Sequence, residues 1–583
     1  MMTGKRFVAV FVLLLGAILG FGAAKFVEDA SQMQVKLGKL DFHLDWDPDF
    51  DQQVVNFAVD FEKPLEASRW LLIGFSDHGF IPKTDFCLYQ NGRLLDGYID
   101  NAWNLMFEIH QDCHLILDDM AGAGKIVFQR KFVTCDIRDY AMEVGTTQFL
   151  FATGTGNDRN LNLSTVDHLF RYNQLLQYPV ERPKIDEAAR TLEITAIDAH
   201  VPAQETTYWC AIVKLDNSIQ ERKHHIIQLE PIITKGNEHI VHHMEVYHCV
   251  YETDAAEEYN GNCNADDKPK MAHMCSKVIA AWAMGADTLY YPIEAGMPFG
   301  GKGFRPLVMV EIHYNNPKKI AGIIDNSGFR FTYTPNLRPF DAGIMELGLI
   351  YSDANSIPPR QTDFAISGYC VADCTSKLPP SGIKIFGSQL HAHLTGRKLW
   401  TSHYRDGVKI GEINRDNHFS PHWQHIQVLQ KQAYVLPGDT LVTTCVYDTR
   451  DQNEFVFGGY EIRNEMCVNY VYYYPASEVE VCKSAVANRT LTNWFKYKGI
   501  AKTSKLAISE KYAKLAAAGW SDEDTLDLKE LYSSAPLNMA CLNHGGDLFK
   551  GHPTGWQKVA RPETFAGVYG KERADYECPS MND

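Results

Sequence analysis

The sequence predicts a mainly β protein: an N-terminal β-sandwich, two consecutive jelly-roll-like β-sandwiches and a short helical C-terminal region. Short segments rich in β-branched and aromatic residues recur from about residue 35 to residue 500, separated by Gly, Pro, Asn and Asp. Helical composition is concentrated after residue 500. At 583 residues, the chain is long enough for about three or four domains.

The β segments fall into two regions. The first covers residues 35–155, with apolar segments such as Val54–Val59 and Trp70–Phe75. Residues 156–194 are more polar and are interpreted as a linker that contains a short helix near residues 166–176.

The second β region, residues 195–500, is long enough for two sandwiches. After it, helices are predicted over residues 506–518 and 521–533, and Ser521 with Asp524 forms a capping pattern.

Composition limits the function. Lys and Arg number 56 against 72 Asp and Glu, which gives a net charge of −16, and no basic run is present. Because phosphate binding needs clustered basic residues, a nucleic-acid partner is not expected. The counts that stand out are 14 Cys and 22 His.

The N-terminus has the pattern of a targeting segment. Lys5 and Arg6 precede an uncharged, apolar run from Phe7 to Ala24 that ends in small residues. Residues 1–24 are predicted to be a signal peptide, which is favoured, or a retained signal anchor that attaches the protein to the membrane. In either case we expect the chain to enter the secretory pathway. The protein would then lie in the lumen of a secretory vesicle, be attached to the vesicle membrane, or be secreted.

The cysteines fit that oxidising compartment. They run from Cys87 to Cys578 without a CxxC motif, and their even number favours up to seven disulfides, which spacing alone does not pair. Asn162-Leu-Ser and Asn488-Arg-Thr are candidate glycosylation sites.

Two histidine motifs differ from the scattered remainder. His242 and His243 are adjacent in a strand-like segment, so both reach one ion only if the strand bends or bulges, because neighbouring strand residues point to opposite faces. His391 and His393 are two residues apart and share a face of a strand. A further strand histidine, His313, carries no signal by itself, and core or surface roles remain the alternative for all five.

Imidazole suits zinc, copper or iron, whereas oxidised cysteines are poor zinc ligands. A thioether ligand would favour copper, and Met466 is a candidate whose alternative is a core methionine.

Three long motifs carry a family resemblance. Residues 242–247 (HHMEVY), 391–398 (HAHLTGRK) and 465–470 (EMCVNY) resemble the copper type II ascorbate-dependent monooxygenases, specifically their phenylethylamine β-hydroxylases. Residues 73–77 and 135–136 resemble the DOMON domain that precedes the catalytic core in these enzymes.

The resemblance implies a domain plan. Its parts are a DOMON-like domain (35–155), a linker (156–194), the N-terminal (195–342) and C-terminal (343–500) copper domains, and a helical region (501–583) that mediates formation of a homodimer or a larger oligomer.

The resemblance also implies the copper ligands. His242, His243 and His313 match the ligands of the electron-storing copper. The copper that binds oxygen and substrate would be held by the catalytic residues His391, His393 and Met466.

The family pattern further implies six disulfides and leaves Cys87 and Cys113 unassigned. The implied pairs are Cys135–Cys578, Cys210–Cys263, Cys249–Cys275, Cys370–Cys482, Cys374–Cys541 and Cys445–Cys467.

The implied reaction is hydroxylation of the benzylic (β) carbon of a phenylethylamine by O2, with ascorbate as reductant and two copper ions per chain. Activated dioxygen is needed because acid–base residues do not cleave an aliphatic C–H bond. Glu245 and Glu346 are candidate partners of the substrate ammonium, with a structural role as the alternative. Tyramine is favoured over dopamine.

Three other readings stay open. They are a monooxygenase of the same core with a peptide or unassigned substrate, a non-catalytic secreted binding module, and an electron-transfer protein with haem in the DOMON-like region.

Overall fold

The structure is a computed structural model that describes residues 32–156, 161–177, 182–249, 258–266, 268–269, 272, 274–501, 505–550, 552 and 555–564. The described residues form two compact units. The first contains residues 32–143, 147–156 and 161–177, and the second contains residues 144–146 and those from 182 onwards. The predicted signal segment, residues 1–24, lies outside the described residues.

The first unit is a β-sandwich of two antiparallel sheets, with strand orders β1-β2-β3-β9-β8 and β11-β10-β4-β5-β6-β7. Aromatic rings join the sheets across the core: Phe57 lies 5.8 Å from Phe75, and Phe42 lies 5.8 Å from Phe151, between ring centroids. The strands are β1 (Gln32–Leu37), β2 (Leu40–Asp49), β3 (Val54–Phe61), β4 (Arg69–Ser76), β5 (Asp85–Gln90), β6 (Arg93–Ile99), β7 (Leu105–Phe107), β8 (His114–Asp119), β9 (Lys125–Lys131), β10 (Thr147–Thr155) and β11 (Asp167–Asn173).

Strand β11 corrects the sequence interpretation of the linker. The short helix expected near residues 166–176 is wrong, because β11 pairs antiparallel with β10 along its whole length. Phe170 packs against the apolar core of the first unit. The open edge of β10 and this apolar contact therefore decide the conformation of a segment whose local composition was ambiguous.

The second unit begins with a sandwich that carries the first histidine motif. Its sheets have the orders β12-β23-β15-β20-β24 and β17-β14-β21-β16-β18, and β13 pairs with β22. The strands are β12 (Arg190–Thr195), β13 (Ala199–Val201), β14 (Thr206–Lys214), β15 (Lys223–Ile232), β16 (Val241–Cys249), β17 (Tyr259–Asn262), β18 (Cys275–Ala283), β19 (Leu289–Tyr290), β20 (Ala295–Gly300), β21 (Leu307–Asn315), β22 (Ile323–Asp325), β23 (Gly328–Thr334) and β24 (Phe340–Asp341).

A second sandwich follows, with sheets β30-β27-β32-β25-β33-β34 and β26-β31-β28-β29. Phe386, Tyr472 and Tyr474 join the buried cluster of the preceding sandwich, so the two sandwiches pack against each other, and the second has further buried clusters of its own. The strands are β25 (Gly343–Leu349), β26 (Phe364–Cys370), β27 (Ile383–His391), β28 (Gly396–Arg405), β29 (Val408–Asp416), β30 (Gln427–Val435), β31 (Thr440–Tyr447), β32 (Val468–Tyr474), β33 (Val479–Val486) and β34 (Leu537–Asn543).

Helices are few in the described part of the chain: α1 (Ala372–Thr375), α2 (Asn488–Tyr497), α3 (Ile508–Ala517) and α4 (Asp522–Ser534). Helices α3 and α4 lie where the sequence predicts them, and Ser521 caps α4 through the Asp524 amide. The C-terminal region is not purely helical, because β34 pairs with β33 and completes a sheet of the second sandwich in that unit. None of the described helices is long and apolar enough to cross a membrane.

Each unit contains disulfides, and those of the second unit join strands to one another or to neighbouring loops and α1. The pair left open by the sequence, Cys87 with Cys113, is bonded in the first unit. The second unit contains Cys210–Cys263, Cys249–Cys275, Cys370–Cys482, Cys374–Cys541 and Cys445–Cys467. These five pairs are also the ones that the family pattern implies, whereas the implied Cys135–Cys578 bond involves a residue outside the described ones.

Candidate metal centres

The first histidine cluster is built by a β-bulge. In the pairing of β16 with β21, Val241 lies opposite Tyr314 and His243 lies opposite His313, so His242 is an extra residue in β16. A bulge of this kind bends the strand and re-aims a side chain. It removes the objection that adjacent strand residues face opposite sides, since both histidines reach His313.

The three imidazoles converge through the same ring atom. The Nδ1 atom of His243 lies 3.1 Å from Nδ1 of His242 and 3.2 Å from Nδ1 of His313. Nitrogens bonded at about 2 Å to one ion stand roughly 3.0–3.4 Å apart, so this spacing fits a single metal ion. Each Nδ1 atom of a neutral imidazole either donates a proton or offers a lone pair. Three lone pairs that converge on one point are better satisfied by a cation than by hydrogen bonds among the three rings.

Burial prepares these side chains as ligands. It lowers the pKa of His242 to about 4 and that of His313 to about 3, with neighbouring histidines adding to the effect. Burial also lowers the pKa of His243 well below its usual value. Since a metal binds the neutral imidazole, the cluster is ready for a cation at neutral pH. Tyr208 stacks on the His313 ring at 4.5 Å and covers it.

The second cluster lies at the end of β27. His391 is the last residue of that strand and His393 follows in the next turn, with their ring centroids 5.3 Å apart. His391 Nδ1 is 2.7 Å from the side-chain oxygen of Gln424, and His393 Nδ1 is 2.9 Å from the Asn464 carbonyl oxygen. With both Nδ1 atoms donating protons to oxygens, both Nε2 atoms keep lone pairs for a metal.

Met466 belongs to the same place in the fold. It lies two residues before Val468, which pairs with His391 in the sheet. Its carbonyl oxygen accepts a hydrogen bond from Tyr447 at 2.9 Å, and the Cys445–Cys467 disulfide ties the next residue to β31. Two imidazoles and a thioether match the donor preference of cuprous copper.

The two clusters are close neighbours within the second unit. The ring centroids of His243 and His391 are 6.3 Å apart. Burial lowers the pKa of His391 well below its usual value as well.

Glu245 is two residues after His243 on β16, so the two side chains point to the same face of the strand. It faces Glu311 on β21, and it accepts a hydrogen bond from Tyr247. Burial raises the pKa of Glu245 to about 7. No ion-pair partner of Glu245 is found among the described residues.

Glu346 has a different environment. It forms an ion pair with Lys483, whose side chain is 4% exposed, and it accepts a hydrogen bond from the Tyr351 hydroxyl at 3.2 Å. The Lys483 ammonium also lies 3.7 Å from the centre of the Tyr351 ring. Glu346 is therefore already neutralised by this protein's own side chains.

Sequence reasoning did not single out several residues that shape the site. Gln424 and Glu311 give no signal in the sequence. Lys483 could have been noticed as a cation within the apolar strand β33, and Glu465 as the residue before Met466.

The predicted glycosylation sites differ in accessibility. Asn488 is exposed at the start of α2. The Asn162 side-chain nitrogen donates hydrogen bonds to the Ala102 carbonyl at 2.7 Å and to Asn104 at 2.9 Å, so both its hydrogens are in use.

Comparison with known proteins agrees with this geometry. Residues 192–321 match the family model "Copper type II ascorbate-dependent monooxygenase, N-terminal domain", and residues 340–495 match the C-terminal domain of the same family. The chain is 45% identical to tyramine beta-hydroxylase of Caenorhabditis briggsae, over 92% of this chain and 93% of that protein. It is 38% identical to human dopamine beta-hydroxylase, over 98% and 93%. It is 30% identical to chicken DBH-like monooxygenase protein 1, over 91% and 89%.

Proposed function

The chain belongs to the copper type II ascorbate-dependent monooxygenases, and from this premise we propose that it hydroxylates the benzylic carbon of tyramine to give octopamine. The coarser activity, a copper- and ascorbate-dependent β-hydroxylase that uses O2, follows from the family and from the relatives. Dopamine, which would give noradrenaline, is the second candidate substrate. The order rests on the higher identity to a tyramine beta-hydroxylase than to a dopamine beta-hydroxylase.

The residues present fit two copper ions. His242, His243 and His313 would hold one through their converging Nδ1 atoms. His391, His393 and Met466 would hold the other. Copper recharged by ascorbate supplies the one-electron activation of dioxygen that an aliphatic C–H bond requires. The protein's part is to hold the ligands neutral, fixed and close together, and to orient the amine.

The observation that carries the amine assignment is the contrast between Glu245 and Glu346. Lys483 forms an ion pair with Glu346, whereas Glu245, two residues from His243 and partly buried, has no ion-pair partner among the described residues and feels Lys483 only as a more distant charge. A buried carboxylate gains from a cation that replaces its lost hydration. In this proposal Glu245 binds the substrate ammonium, and Glu346, already paired with Lys483, does not.

The test is product analysis with copper-loaded, full-length protein, ascorbate, and tyramine and dopamine in competition. We expect octopamine as the main product, and the absence of any β-hydroxylated amine would refute the proposed activity.

Glu245 is tested with Glu245→Gln against Glu294→Gln, an exposed glutamate of the same sandwich. Loss of a buried charge pair should lower kcat/KM for tyramine at least about thirtyfold. 4-Ethylphenol, which has the ring and benzylic carbon but no amine, should change by less than about threefold because it makes no charge pair. Equal effects on both compounds would mean that Glu245 does not bind the amine, and the proposed β-hydroxylase activity would still stand.

A monooxygenase of another substrate remains the alternative, favoured by the DBH-like relative. Turnover of neither amine by protein that still consumes oxygen would select it. A secreted, non-catalytic binding module is the remaining rival. It would bind the amine without copper-dependent oxygen uptake.

We also propose a secretory location, in a vesicle lumen, at its membrane or outside the cell, with assembly into a homodimer or larger oligomer. Six described disulfides support an oxidising compartment. Glycosidase treatment of protein expressed in secretory cells should remove a glycan from Asn488, and light scattering gives the oligomeric state.

A further inference from the structure

One buried carboxylate joins the two loops that carry His393 and Met466. Glu465 is 4% exposed. Its Oε2 atom accepts hydrogen bonds from the backbone amides of His393 at 2.9 Å and Met466 at 3.1 Å. Its Oε1 atom accepts from the Thr395 amide at 2.6 Å and from the Thr395 hydroxyl at 2.7 Å.

These two ligands lie outside the strand ladders. Strand β27 ends at His391 and β32 begins at Val468, so the sheet register does not fix the backbone at His393 or Met466. The first cluster is different, because His243 and His313 are paired residues of neighbouring strands. A ligand on a loop needs other hydrogen bonds to hold its geometry.

We propose that Glu465 is a positioning residue that fixes the distance between the His393 and Met466 backbones and thereby completes the two-imidazole, one-thioether ligand set. A single oxygen atom receives both ligand amides, so moving either backbone breaks a hydrogen bond to a charged acceptor. Arg397, the nearby cation, donates to the carbonyls of Leu394 and Gly396 and also attracts Glu465 electrostatically.

Glu465→Gln is the informative change because it keeps size and removes one acceptor. Each carboxylate oxygen serves two donors, so either orientation of the glutamine amide points its NH2 group at two donors. The variant should lose at least one of the four hydrogen bonds whichever way the amide turns, because among the four donors only the Thr395 hydroxyl can accept from the NH2 group. The hydrogen bonds that remain go to a neutral acceptor and are therefore weaker. The control is Glu461→Gln, a side chain of the same segment that is 60% exposed and pairs with exposed Arg463.

The measurements are copper per chain as a function of free copper, and X-ray absorption of the ascorbate-reduced, full-length protein to detect a sulfur ligand. For Glu465→Gln we expect one site of unchanged affinity, a second site at least tenfold weaker, and loss of the sulfur signal. Glu461→Gln should match the unaltered protein, and Met466→Leu should lose the sulfur signal. A Glu465→Gln protein with two sites of unchanged affinity and an intact sulfur signal would overturn the proposal.

If Glu465→Gln does not fold, Thr395→Val tests the proposal instead. It removes one hydrogen-bond donor to the Glu465 carboxylate and leaves every copper ligand in place. The second site should then weaken at least threefold while the first is unchanged, and equal affinities would overturn the proposal. No substrate enters these measurements, so their outcome is independent of whether tyramine is hydroxylated.

Discussion

Replacing Lys483 with methionine tests whether Lys483 and Glu346 form a buried ion pair that stabilises the fold. The Lys483 ammonium is buried, forms an ion pair with Glu346 and lies 3.7 Å from the Tyr351 ring centre. Methionine fills a similar volume but leaves a carboxylate that is 20% exposed without its cation. Breaking one partner of a buried pair costs about 3–5 kcal/mol, so the free energy of unfolding should fall by that amount.

The double variant Lys483→Met with Glu346→Gln provides the control. Replacing both charges of a buried pair is often close to neutral, and a glutamine oxygen can still accept from the Tyr351 hydroxyl. We therefore expect the double variant to recover most of the loss, which gives a coupling energy of about 2–3 kcal/mol. The assay is denaturant unfolding of the copper-free protein followed by tryptophan fluorescence.

Two results would contradict a buried, neutralised ion pair. A single variant within about 1 kcal/mol of the unaltered protein would mean that solvent already screens the pair. A double variant as unstable as the single would mean that lost packing, and not the unpaired charge, causes the destabilisation.

Three further predictions concern the ligand set, its support and pH. Met466→Ala should lower tyramine turnover more than about a hundredfold, measured as octopamine formed, with secretion of the protein nearly unchanged. Removing the Cys445–Cys467 disulfide by a double alanine change should cost about 3 kcal/mol of stability for the loop it closes, measured by thermal unfolding, and should weaken the nearby copper site. Hydrogen bonding by His225 and the Lys223 cation lower the pKa of Asp341 to about 2, so its stabilisation is complete above about pH 4 and is lost as pH falls towards 2. Asp341→Asn should flatten that part of the stability profile, and an unchanged profile would contradict the assignment.

The local sequence pattern correctly predicted elements that are stabilised by contacts among their own residues. The spacing of His391 and His393 predicted neighbouring imidazoles, and the rings lie 5.3 Å apart. The expected shared strand face was wrong, because β27 ends at His391 and His393 lies beyond it. Helix α4 begins after the predicted cap, Ser521, because capping is a contact within one turn. The mainly β architecture followed from short β-rich segments and turn residues repeated along the chain.

The local sequence pattern gave a wrong prediction where a contact with a distant part of the chain determines the conformation. Residues 167–173 were read as part of a linker with a helix, yet they add a strand to the edge of β10. The energy that selects the strand comes from that edge and from the core beneath Phe170, neither of which is visible in a local window.

Residue types and short motifs were enough to identify the site's candidate residues: five histidines, one methionine and two glutamates. This was possible because residue type and short spacing are local properties that the family motifs preserve. His242 and His243 share a site because pairing with β21 produces a bulge in β16, and that pairing is not visible in the local sequence. Only the tertiary structure separated Glu245 from Glu346, because Lys483 is 137 residues from Glu346 in the chain. Charge neutralisation and metal geometry depend on distances in space, and folding brings together partners that sequence spacing does not relate.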